Sequence, residues 1–119
     1  MKKTLVLGAT PNASRYSYLA TMRLAQHGHH VVPVGIRKGE IEGIKIVEGK
    51  PEEEGVDTVT LYLGADRQAE YYDYILSLKP KRIIFNPGTE NPELAQLAKE
   101  EGIETVEGCT LVMLSIGAY

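Results

Sequence analysis

Two short stretches hold most of the chemistry available to this sequence. The first is Gly8-Ala9-Thr10-Pro11-Asn12-Ala13-Ser14-Arg15-Tyr16, small residues closing on a hydroxyl, a guanidinium and a phenol. Small residues leave backbone N–H groups open to a ligand. A helix that begins at such a turn adds its unpaired donors and the positive end of its dipole, so a phosphate or pyrophosphate suits the place. The G-x-G-x-x-G fingerprint is absent: Gly8 matches its first glycine, and Thr10 and Ala13 stand at the other two. A strand–helix turn that needs Gly8 for geometry alone is the plainer alternative.

The second stretch is Val34-Gly35-Ile36-Arg37-Lys38. NAD sites place Asp or Glu at the end of their second strand, to bind ribose hydroxyls. Two cations there suit an adenosine bearing an extra ribose phosphate, as in NADP or coenzyme A. A solvated loop pair is the alternative. Asn86-Pro87-Gly88-Thr89-Glu90-Asn91 forms a further polar turn that could line the rest of a pocket, and Arg67 and Gln68 open a helix at the same rim.

Other reactive residues argue less. His27, His29 and His30 surround Gly28. They fall at a helix C-terminus, where cations suit the dipole, with no carboxylate or cysteine near in sequence, so no metal site is expected. Cys109 is the single cysteine, either a buried structural thiol or a thiol facing the ligand. Glu52-Glu53-Glu54 reads as a solvated loop. There is no nucleophile elbow, no phosphate-loop Gly-Lys-Ser/Thr and no Ser/His/Asp arrangement, so no catalytic set is assigned.

The elements that must position these residues alternate. Apolar runs at Thr4–Leu7, Val31–Val34, Asp57–Leu63, Arg82–Phe85 and Ile103–Val106 predict strands. Pro33 lacks a donor and belongs near an edge or a bulge. Residues 44–47 could add a short strand. Helices are predicted over Ser17–His27, with Tyr18, Met22 and Ala25 as its buried stripe, and over Asp66–Leu78, with Ala69, Tyr72, Ile75 and Leu76 inward. A third follows Asn91-Pro92-Glu93, which reads as cap, first-turn proline and first-turn acid. Cys109–Ile116 predicts a covering helix. Strand–helix alternation implies an α/β fold: one Rossmann-like three-layer domain over residues 1–119, a parallel sheet of about five strands with helices on both faces. Ligands of such sheets bind outside the carboxyl ends of the strands, where strand order reverses. That selects residues 8–17, 34–38, 62–68, 86–91 and 107–110.

Composition bounds the rest. The chain has 119 residues, 43% hydrophobic and 24% charged, with net charge −3, an ordinary globular composition. No basic stripe suggests nucleic acid as a partner. No apolar run reaches the roughly 18 residues of a membrane span. The basic start at Lys2-Lys3 precedes too short an apolar run for a signal peptide. The expected location is the cytoplasm.

The chain resembles the small coenzyme A binding proteins related to the N-terminal domain of the succinyl-CoA synthetase alpha subunit. The residues that carry this are Gly8-Ala9-Thr10 running into Ser14-Arg15-Tyr16-Ser17, then His27-Gly28-His29 with Val32-Pro33-Val34. Further on come Phe85-Asn86-Pro87-Gly88-Thr89-Glu90-Asn91 and Gly108-Cys109-Thr110-Leu111-Val112. The resemblance implies a Rossmann-like domain holding the ADP part of coenzyme A. Gly8, Thr10, Ser14 and Tyr16 would meet pyrophosphate or adenosine, Arg37 or Lys38 the ribose phosphate, and Leu63, Gln68 and Pro87 the remainder. Ala9, Asn12, Arg15, Val34 and Cys109 complete the candidate set. The family often has Asn-Pro-Lys after the second strand; Gly35-Ile36-Arg37-Lys38 replaces it here. The ligase relatives carry a second domain with a phosphorylated histidine that has no counterpart here, so ligase activity is not carried over.

The expected function is a non-catalytic coenzyme A or acyl-CoA binding protein. A small NADP-dependent oxidoreductase and a ligand-free Rossmann-like interaction module are the alternatives. A protein partner or a weak homodimer stays open.

Overall fold

A computed structural model describes residues 1–119. The strands are β1 (Thr4–Leu7), β2 (Val31–Gly35), β3 (Glu40–Ile41), β4 (Ile44–Lys45), β5 (Val47–Glu48), β6 (Thr58–Leu61), β7 (Arg82–Phe85) and β8 (Glu104–Glu107). The helices are α1 (Tyr16–Gln26), α2 (Ala65–Gln68), α3 (Tyr72–Ser77), α4 (Pro92–Glu100) and α5 (Thr110–Ser115). Six strands form one parallel sheet in the order β5-β2-β1-β6-β7-β8. The order reverses between β1 and β6: the chain leaves β1 towards β2, then returns to β6 on the opposite side.

The sixth strand is the short β5, which pairs Val47 and Glu48 with Val34 and Gly35. Before it, β3 and β4 form a hairpin whose two turn residues, Glu42 and Gly43, both have positive φ (47° and 84°), the geometry of a two-residue hairpin turn. Pro33 lies where its missing donor does no harm. Thr4 N and Gly8 N bond His30 O and Val34 O, so even-numbered residues of β2 face β1. Pro33 faces the other side, where β5 pairs only residues 34 and 35.

Alternation along each strand divides the core. Leu5, Leu7, Val59, Leu61, Ile83 and Phe85 pack with Ile75 of α3 and with Leu94 and Ala98 of α4. On the opposite face Val6 and Val31 pack with Leu24 of α1 and Leu114 of α5. The result is helices on both faces, as strand–helix alternation predicts.

Two helices differ from expectation. In α1 the buried residues are Ser17, Ala20, Thr21 and Leu24, while Tyr18, Met22 and Ala25 pack at the margin. Small side chains let the helix lie close to the sheet, and Thr21 Oγ1 is satisfied by Ser17 O at 2.8 Å. The predicted helix over 66–78 is broken into α2, a 3₁₀ turn at Ala69–Tyr71, and α3. Here Gln68 is fully buried in addition to Ile75. By contrast the start of α4 is as the sequence predicts: Asn91 Oδ1 accepts from Glu93 N at 3.1 Å and Leu94 N at 3.3 Å, with Pro92 in the first turn. Such a cap contributes about 1 kcal/mol. No helix is long and apolar enough to cross a membrane.

Candidate functional site

The β1–α1 turn is held by close backbone approach. Gly8 has φ +102°, and a Cβ there would lie 2.9 Å from the carbonyl carbon of Tyr62. Gly8 N and Ala9 N both donate to Val34 O, at 3.0 and 2.9 Å. A Cβ on Gly35 would stand 2.2 Å from Ala9 O, so only glycine lets the end of β2 pass the turn. Beyond it, Asn12 Oδ1 accepts from Ser14 N at 3.0 Å and from Ser14 Oγ at 2.7 Å, and Asn12 O accepts from Arg15 N at 3.1 Å. Helix α1 starts with no side-chain cap, and the N–H groups of Tyr16 and Ser17 have no acceptor in the chain. Two free donors at the positive end of an 11-residue helix favour an anion.

The β7–α4 turn is built as firmly. Pro87 and Gly88, the latter with φ +91°, occupy its centre, and Thr89 N returns to Asn86 O at 2.9 Å. Asn86 is buried. Its Nδ2 donates to Thr60 Oγ1 at 2.6 Å and Leu61 O at 2.8 Å, and its Oδ1 accepts from Thr110 N at 2.9 Å. Thr60 and Thr110 share a 2.8 Å hydroxyl contact. This knot ties the ends of β6 and β7 to the start of α5. Tyr62 packs above it with its hydroxyl buried and unpartnered, and burial pushes the phenol pKa up.

Between the turns lies a pocket of about 420 Å³ along the carboxyl edge, over the point where strand order reverses. It brings together ten of the candidates: Gly8, Ala9, Thr10, Asn12, Arg15, Tyr16, Val34, Arg37, Leu63 and Pro87. Four lie outside. Ser14 turns its hydroxyl back onto Asn12. Lys38 lines a separate shallow groove beside β3–β5. Gln68 sits behind the wall: its Nε2 donates to Leu63 O and Thr89 O, both at 2.8 Å, and its Oε1 accepts from Asn91 Nδ2 at 2.9 Å. It therefore holds two pocket segments in register rather than facing the cavity. Cys109 precedes α5, half-buried, and is not part of the lining.

The lining also includes residues outside the candidate set, Arg67 of the expected rim among them. Ile36, Tyr62, Gly64, Arg67, Gly88 and Thr89 fall within the segments that the carboxyl-end rule selects, and Tyr71 falls in none of them. Tyr71 ends the 3₁₀ turn that interrupts the helix.

The charge of this pocket is one-signed. Its charged lining residues are Arg15, Arg37 and Arg67, and it contains no Asp, Glu, His, Lys or Cys. None of the three guanidinium groups makes a hydrogen bond, and the one ion pair in the structure, Lys3–Glu53 at 2.8 Å, is elsewhere. No group of three or more His, Cys, Asp or Glu side chains is placed to hold a metal ion.

The model of a family described as CoA binding domain matches residues 2–115. No curated protein matches the chain. A crystal structure of an uncharacterized protein is 61% identical, covering 100% of this chain and 98% of that one, with a TM-score of 0.97. A hypothetical protein from Pyrococcus horikoshii OT3 is 25% identical over 97% of this chain and 82% of its own, with a TM-score of 0.87. A protein from Thermus thermophilus is 25% identical over 99% and 90%, also at 0.87.

Proposed function

Because the chain belongs to the CoA binding domain family, we propose that residues 1–119 act as one coenzyme A binding domain that holds the ADP part of the ligand at the β1–α1 turn. The observation that carries this reading is the pocket's charge. In a chain of net charge −3, its three charged lining residues are all arginines with unengaged guanidinium groups. Such a cavity suits a ligand with several phosphate oxygens, because charge-assisted bonds from arginine are roughly twice as strong as neutral ones.

The roles follow from position. The pyrophosphate accepts from the free N–H groups of Tyr16 and Ser17 and from Arg15. The ribose phosphate meets Arg37, with Lys38 adding charge from the neighbouring groove. The pantetheine arm runs along Leu63 and Pro87.

Calorimetric titration of ligand-stripped protein with coenzyme A, dephospho-coenzyme A, NADP and NAD tests the reading. Coenzyme A should bind, with the dephospho form about tenfold weaker or more, the value of one lost charge-assisted contact. The double variant Arg37→Ala/Lys38→Ala should erase that difference. Tighter binding of NADP than of coenzyme A would support the oxidoreductase instead, and no binding of any of the four would favour an interaction module.

A further inference from the structure

The two halves of the pocket are braced by different contacts. In the coenzyme A reading, on which this inference rests, the phosphates lie over the β1–α1 turn and the end of β2. The uncharged arm that ends in the thiol lies along Leu63 and Pro87. The first half is held by Val34 O, which accepts from Gly8 N at 3.0 Å and from Ala9 N at 2.9 Å. The second half spans the ends of two neighbouring strands, β6 followed by Leu63 and β7 followed by Pro87–Thr89. One side chain joins them. Gln68 is fully buried, and its Nε2 donates to Leu63 O and to Thr89 O, both at 2.8 Å.

This bridge needs an amide. A primary amide carries two donors on one nitrogen, so it can hold two carbonyls at once, whereas a carboxylate would offer both of them an oxygen. The other end of Gln68 is fixed as well. Its Oε1 accepts from Asn91 Nδ2 at 2.9 Å, Asn91 Nδ2 also donates to the Tyr72 hydroxyl at 2.8 Å, and Asn91 Oδ1 caps α4. A buried amide with every partner in place is rigid, so it fixes the spacing of the segments it joins. Leu63 and Thr89 line the cavity, and Gln68 does not. That spacing matters most to the part of a ligand that carries no charge. Such a part is held by close packing, and a gap of about 0.5–1 Å forfeits a quarter to a half of a contact's attraction.

We propose that Gln68 is a positioning residue for the thiol-bearing arm of coenzyme A: without touching the ligand it sets the spacing of Leu63 and Pro87–Thr89, and the phosphates do not depend on it. The test compares coenzyme A with 3′-phospho-ADP, the same molecule without its arm, by calorimetry on the wild type, Gln68→Met and Asn91→Ser at a temperature where all three are folded. Gln68→Met keeps the length of the side chain and removes both donors. Asn91→Ser keeps a side-chain oxygen to cap α4 and removes only the donor to Gln68 Oε1, so it is the milder variant should Gln68→Met not fold. The wild type should bind coenzyme A more tightly than 3′-phospho-ADP. Gln68→Met should weaken coenzyme A by about tenfold or more and leave 3′-phospho-ADP within about twofold. Asn91→Ser should show the same split at roughly a third of that size or less. A purely structural role would lower the unfolding midpoint and weaken both ligands alike, and that result would overturn the proposal. Coenzyme A affinity unchanged in the variants would overturn it too, as would equal wild-type affinity for the two ligands. All three results leave the coenzyme A reading intact. Failure of the wild type to bind either ligand would overturn that underlying reading, and this inference with it.

Discussion

Arginine serves opposite purposes at the two edges of the sheet. At the amino edge Arg82 is buried, its Nε donates to Thr58 Oγ1 at 3.0 Å, its Nη1 donates to Tyr119 O at 3.2 Å, and its guanidinium lies 4.4 Å from the Tyr119 ring centroid. The Tyr119 hydroxyl meets Thr4 Oγ1 at 2.6 Å, and its ring lies 4.9 Å from His29, whose Nδ1 accepts from Lys2 N at 2.9 Å. Lys2 Nζ also donates to Tyr119 O. Apart from Arg82 Nη2, this edge is knit to itself. At the carboxyl edge Arg15, Arg37 and Arg67 border one cavity and bond nothing. Satisfied polar groups hold the fold together; spare ones mark where something else is to be held.

The sharpest way to break this division is at its tightest contact. Gly35→Ala puts a methyl where Ala9 O already stands, 2.2 Å away, so the β1–α1 turn must move. Overpacking of this kind costs about 1–3 kcal/mol or more. Thermal unfolding should shift down by several degrees, and coenzyme A affinity should fall at least about tenfold, read by calorimetry at a temperature where the variant is folded.

Arg82→Met tests the other edge. It removes two hydrogen bonds from a buried site, so stability should fall by about 2 kcal/mol in urea unfolding, with coenzyme A affinity unchanged. An affinity loss matching the stability loss would mean that the two edges are coupled rather than separate.

The smallest effect is a pH dependence confined to the amino edge. Burial, then the positive charges of the Met1 amino group, Lys2, His27 and Arg82, hold the His29 pKa below its ordinary 6.5. Between 6.5 and that lower value the unfolded chain takes a proton that the folded chain refuses. Stability is therefore full above pH 6.5 and declines as pH falls through the window. His29→Gln should flatten the decline measured between pH 7.5 and 5.5, without touching ligand binding.

Much of this arrangement is legible in the sequence, because it rests on local rules. The strand runs, the Asn91 cap, the Pro33 position and the rule of carboxyl ends depend on a few adjacent residues each. What escapes is decided by contacts distant in sequence. Gln68 reads as a rim residue, yet its amide is fully used 5 and 21 residues away, by Leu63 O and Thr89 O. Tyr71 and the inward set of α1 follow from how closely helices settle on the sheet, which periodicity alone does not fix. Strand β5 has only two residues, too few for a pattern.

Gly39 adds a consequence to the crossing at Gly35. A Cβ on Gly39 would lie 2.8 Å from Pro11 Cβ, so the segment leading into the β3–β4 hairpin rests on the β1–α1 turn at a second point. Two contacts join these segments and brace the turn that forms one wall of the cavity. An entering ligand then loses its own freedom but need not order the protein. Encounter rates would follow the arginines' field and its screening by salt, and residence times would follow the strength of the contacts made rather than the opening of a lid.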